Sequence, residues 1–180
     1  MSYARFGLMI LTSTVVMYGL MYLNTYELDH VAWSQTRAWM ALLMGGVMAV
    51  IMMGFMWAMY DKKGRNWGIM AAAVIVAAGS LWFVRSQATV GDVSYMEAMI
   101  PHHSIAVLTS SRAHIRDPRV RELADGIIKA QMQEIAEMRA LIADLDANPV
   151  PDAAPDLPPL RPDDVAVSEA VEKALQPPAQ

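Results

Sequence analysis

The chain has 180 residues, no cysteine, 55% hydrophobic residues and 16 methionines. Residues 1–90 carry six Lys/Arg against three Asp/Glu, a net of +3, while residues 91–180 carry eight against fifteen, a net of −7. Absence of cysteine excludes disulfides and thiolate metal sites, and an acidic, aromatic-poor second half offers no clustered basic face for nucleic acid.

In chain order, the first ninety residues read as membrane. Three apolar runs, about 3–23, 38–60 and 67–84, each approach the roughly 20 residues that a crossing helix needs. Only Arg5 interrupts the first. Aromatic side chains stand near the ends of the runs (Tyr22, Trp39, Trp57, Trp67, Trp82), where interfacial rings belong. The first run lacks a small-x-small cleavage site, so an uncleaved helix is expected rather than a signal peptide. Residues 1–86 are thus a membrane domain in contact with the lipid bilayer.

Arg5, Lys62, Lys63 and Arg65 fall on one side of such a membrane, Arg37 and Arg85 on the other. The positive-inside rule places the N-terminus in the cytoplasm and the acidic second half outside, on the periplasmic or extracellular face of the cell (inner) membrane. In the second run, Met40, Met44, Met48, Met52, Met53, Met56 and Met59 form a winding stripe. Thioethers fill gaps between helices, and they also suit Cu(I). Both readings stay open.

Residues 91–146 read as a helical hairpin domain, with helices over Asp92 to about Ile115 and Pro118 to about Leu145. Asp117 is placed as N-cap and Pro118 as the first helical residue. Ala124, Ile128, Gln131, Ile135, Met138, Ile142 and Leu145 repeat at alternating spacings of four and three, a seam of two positions per heptad. Met96, Ile100, His103, Val107 and Ser110 form a similar seam. Pro101 inside the first helix leaves a carbonyl unpaired and predicts a kink. An αα-hairpin alone leaves much of both seams wet, so pairing with a second copy into a four-helix bundle is expected, making the chain a dimer or larger. The fold class is all-α: three transmembrane helices followed by this hairpin. Residues 147–180 form a Pro/Asp-rich tail, largely disordered, with a short helix possible over Val165 to Leu175.

"MIPHH", residues 99–103, puts two imidazoles in an apolar helix. At 100° per residue, Met96, Met99 and His103 share one face and His102 adjoins Met99. Two thioethers and two imidazoles on one turn suit a soft or borderline ion, copper first. Glu134 or Met138 of the next helix can close such a site, with Gln131 orienting a ligand. The competing reading is a seam histidine hydrogen-bonded to Gln131 or Glu134, fixing register in a metal-free homodimer. His114 is expected near a helix end, and His30 at the surface of the first extracytoplasmic loop.

The runs "DVSYMEAMIPHHSIAVL" and "DPRVRELADGIIKAQMQEIAEMRALI" resemble the domain-of-unknown-function 305 family. The resemblance rests on Met-Ile-Pro-His-His (Met99 to His103) and Gln-x-x-Glu-Ile-x-x-Met (Gln131, Glu134, Ile135, Met138), and covers about residues 92–142. It implies a ferritin-like helical bundle and, from periplasmic members, copper binding and copper resistance. Thr109 stands where the family commonly has methionine. The hairpin domain has no Glu-x-x-His pair, and Glu134 is its only carboxylate with a persuasive inward position, so a di-iron oxidase is rejected; no nucleophile with a base stands in recognisable order either, so an enzyme is not expected. The expectation is a membrane-anchored extracytoplasmic metal-binding protein, with a copper ion at His102, His103, Met99, Met96, Glu134 and Met138, serving metal homeostasis or tolerance. The alternative is a structural or assembly module without metal. No feature names a protein partner.

Overall fold

A computed structural model describes residues 2–151, 153–161 and 171. Among the described residues there are five long α-helices and two short 3-10 turns, Leu28–His30 and Trp57–Met59, and no strand. The helices are α1 (Tyr3–Leu20), α2 (Gln35–Phe55), α3 (Lys63–Ser86), α4 (Asp92–Arg112) and α5 (Pro118–Ala147). The chain divides into two compact units, Met1–Ile105 and Ala106–Gln180, with the division inside α4.

In the first unit, α1, α2 and α3 are each long and apolar enough to cross a membrane. They cover the three expected spans, with shifted ends. Ser34 begins α2 three residues before the apolar run by accepting a hydrogen bond from the Arg37 N–H at 3.2 Å. A short 3-10 turn, Trp57–Met59, ends the second run early. Helix α3 takes in Lys63 to Asn66 at its start and closes on Gln87, whose left-handed backbone (φ 53°) lets its N–H return to the Phe83 carbonyl at 3.0 Å.

What these helices bury is small. Ala41, Gly45, Gly46, Ala49 and Met53 are the buried residues of α2, whereas Leu42, Val47, Ile51 and Phe55 are exposed. A Cβ at position 46 would lie 2.8 Å from the Ala73 carbonyl oxygen, so only glycine admits α3 at this distance. With lipid outside, close backbone approach is the available source of helix attraction. Three methionines of the stripe are used in packing: Met53 is wholly buried, and Met52 and Met56 lie against its cluster, while Met59 is exposed.

Polar locks close both ends of this unit. Tyr3 donates to Asn66 Oδ1 at 2.8 Å, and Lys63 Nζ donates to the Trp57 and Tyr60 carbonyls at 2.8 and 2.9 Å. At the other end the Ser34 N–H donates to the Tyr22 hydroxyl at 3.0 Å, and the Arg37 guanidinium lies 4.4 Å from the Tyr22 ring centre.

Helix α4 runs through Pro101 as one element and ends at Arg112, three residues short of the expected end. Helix α5 begins as expected. Asp117 accepts from the Arg119 N–H at 2.9 Å, and Pro118 occupies the first turn. The Arg119 side chain also donates to both Asp117 oxygens, and these hydrogen bonds hold the Asp117 carboxyl down at about 2. In the second unit all seven α5 seam positions are buried or half-buried, while most of the intervening residues are exposed. Residues 149–151 and 153–161 contain no helix or strand. The expected helix over 165–175 lies, Val171 apart, outside the described residues.

Candidate metal centres

Helix geometry sets out the first candidate. On α4, Met96 and Ile100 are buried, Met99 and His103 half-buried, and His102 exposed. The His102 and His103 ring centres lie 6.2 Å apart with planes inclined at 53°. Two turns of α4 thus grade from a buried thioether to an imidazole open to solvent. Such a donor set fits a soft or borderline ion by its chemistry.

The other expected ligands lie on α5, in the second unit. Met138 is buried, Gln131 half-buried and Glu134 exposed. Gln131 Nε2 donates to Glu134 Oε2 at 3.1 Å, so the amide inside the seam has found a carboxylate one turn on. Thr109, at the position where methionine is common, is exposed and its hydroxyl turns back to the Ala106 carbonyl at 3.1 Å. His114 is exposed beyond the end of α4.

A second cluster was not foreseen. His30, expected at the surface, is 1% exposed. The loop between α1 and α2 (residues 21–34) folds over it. Ser104 of α4 takes the Tyr26 N–H at 2.7 Å, and its oxygen lies 2.9 Å from His30 Nδ1. His30 Nε2 faces the carboxylates of Glu27 and Asp29 at 3.8 and 3.9 Å. One ligand atom from each of Glu27, Asp29 and His30 lies within 4.8 Å of the others. The Glu-x-Asp-His spacing was visible in the sequence, but the serine that covers the histidine is 74 residues away.

Against this geometry the comparisons with known proteins can be set. The family model described as "Domain of unknown function (DUF305)" matches residues 92–176. An uncharacterized protein of Acanthamoeba polyphaga mimivirus is 33% identical over 102 residues, covering 53% of this chain and 67% of the viral protein. The chain belongs to the DUF305 family. The DUF305 region begins at the first residue of α4, includes all of α5, and extends beyond the 92–142 stretch that carries its motifs. Glu27, Asp29 and His30 stand outside it. No solved structure matches the chain.

Proposed function

We propose that this DUF305 protein is a membrane-anchored, extracytoplasmic metal-binding protein that holds copper on α4 and acts by binding rather than catalysis. The observation that carries the reading is the shared turn of Met99, His102 and His103, half-buried to exposed and therefore reachable. His102, His103 and Met99 hold the ion, and Met96 is the further candidate on the same helix. Thioethers and neutral imidazoles need little deprotonation to bind, and sulfur favours Cu(I) over harder ions.

The membrane setting follows from α1, α2 and α3. Three crossings leave the α1–α2 loop and α4 on one face, and the Tyr26 and His30 contacts to Ser104 agree with that. Positive charge at Arg5 and Lys62 to Arg65 supports an extracytoplasmic assignment for this face and an inner-membrane location.

The test is a competition titration of the full chain, in detergent, against a Cu(I) chelator. His102→Ala/His103→Ala abolishes competition, and Met99→Leu weakens Cu(I) more than Zn(II). Equal competition by wild type and the double histidine variant refutes the copper site.

A self-associating module is the second reading. Leu123 and Leu141 are exposed on α5 and stand 18 residues apart, five whole helical turns, so they lie on one flank. A second copy covering that flank makes the protein a dimer, which sedimentation of the full chain would detect. A monomer at all concentrations excludes it.

A further inference from the structure

We propose that Glu27, Asp29 and His30 form a second metal site, for one borderline divalent cation of the zinc(II) class, which clamps the α1–α2 loop onto α4. The site is distinct from the copper turn and does not depend on it. It lies outside the DUF305 region, and its donors are of another kind: two carboxylates and one imidazole, with no sulfur.

The first ground is the state of the histidine. His30 is 1% exposed, and its Nε2 is too far from either carboxylate for a hydrogen bond, at 3.8 and 3.9 Å. The buried ring thus faces two like-charged carboxylates and bonds to neither. A cation resolves this. Two ligands held about 2.1 Å from one tetrahedral ion stand roughly 3.4 Å apart, so the legs to His30, at 3.8 and 3.9 Å, close by about half an ångström, and ligand atoms that all lie within 4.8 Å of one another need at most about 1.4 Å.

The second ground is Ser104, itself 0% exposed, at 2.9 Å from Nδ1. A hydroxyl oxygen has two lone pairs. One receives the Tyr26 N–H at 2.7 Å, and the other can receive Nδ1–H. In that tautomer the Nε2 lone pair points at the carboxylates, ready to ligate. Metal-binding histidines are characteristically oriented in this way through the other ring nitrogen.

The third ground is access. The Glu27 and Asp29 side chains are 50% and 60% exposed, so an ion enters from solvent and keeps water on its open side. Imidazole with carboxylates suits Zn(II) and comparable divalent ions better than Cu(I). The consequence is mechanical. The ion joins residues 27–30 to one another, and through Ser104 to the helix that carries His102 and His103.

The experiment uses the full chain in detergent with Zn(II) as probe, followed by competition with a chromophoric chelator and by 15N shifts of the histidine rings. Wild type should show a Zn(II) event that moves the His30 Nε2 resonance. Glu27→Gln/Asp29→Asn should lose that event while keeping its unfolding temperature in chelator, because both carboxylates are exposed. Ser104→Ala should weaken it about 10- to 100-fold. His102→Ala/His103→Ala should retain it. An unmoved His30 resonance at saturating Zn(II), or wild-type affinity in Glu27→Gln/Asp29→Asn, overturns the proposal. So does loss of every Zn(II) event in His102→Ala/His103→Ala.

Discussion

Helices α2 and α5 differ in what they leave outside. Helix α2 turns Gly45, Gly46, Ala41 and Ala49 inward and leaves Leu42, Val47, Ile51 and Phe55 outside. Helix α5 turns Ala124, Ile135 and Met138 inward and leaves mostly acids, bases, amides and small residues outside, with Leu123 and Leu141 as larger apolar exceptions. The helix geometry is the same; the surrounding solvent is not. In water, burial of a large apolar side chain is rewarded, so α5 hides its apolar seam. In lipid, burying leucine gains nothing over leaving it in acyl chains, and what remains is contact between backbones, which small residues permit.

The largest effect should come from charging the inward face in water. Ile135 is 2% exposed, so Ile135→Lys buries an ammonium without a partner and should cost on the order of 4 kcal/mol. Thermal unfolding followed by circular dichroism should show the loss. An unchanged transition would mean that the α5 seam contributes no core.

Next comes a matched pair on the outward faces. Val47→Lys places a charge on the lipid side of α2 and should cost about 2.5–3.5 kcal/mol of insertion free energy. Ala140→Lys, on the exposed side of α5, should stay within about 0.5 kcal/mol of wild type. A glycosylation-based insertion assay reads the first, and thermal unfolding the second. Equal tolerance of both would erase the distinction between the two solvents.

Gly46→Leu sharpens the point about small residues. Its side chain would enter the space held by Ala73 and Ala77, where even a Cβ meets the Ala73 carbonyl at 2.8 Å. Overpacking of this kind costs about 1–3 kcal/mol. Denaturation of the detergent-solubilised chain with SDS should show it, and Gly54→Leu, where no atom lies within 4 Å of a Cβ, should not.

The elements were legible in proportion to how local their causes are. The start of α5 was readable because Asp117 and Pro118 act within one turn, and the α5 seam because a 3.5-residue repeat is written along the chain. The membrane helices were readable from apolar length, but their ends were not. Ser34 capping α2 and the turn at Trp57–Met59 answer to Tyr22 and Lys63, outside the second run itself. Of the candidate sites, the α4 turn could be assembled from one helix, since Met99, His102 and His103 are neighbours in sequence. The His30 cluster could not, because its burial depends on Ser104, far along the chain. A histidine in a polar loop reads as surface until the residue that covers it is known.

The smallest effect is at the boundary that was read most easily. Asp117 caps α5 by accepting the Arg119 N–H, and its carboxylate also takes two side-chain hydrogen bonds from Arg119. These hold the folded-state value at about 2, below the ordinary 3.8. A carboxyl depressed on folding stabilises the fold fully above its unfolded value, and that contribution is lost as pH falls through the folded value. The cap should therefore be constant from neutral pH down to about 5, and should weaken between about 4 and 2. Amide exchange at Arg119 and Val120 should accelerate over that interval relative to the intrinsic rate. In Asp117→Asn the side-chain oxygen still caps the helix, but nothing titrates, so protection should be flat across the same range. Asp117→Ala should lose protection at every pH. If the wild type and Asp117→Asn follow the same curve, the pH response belongs to another carboxylate, and the Arg119 fork contributes nothing to the start of α5.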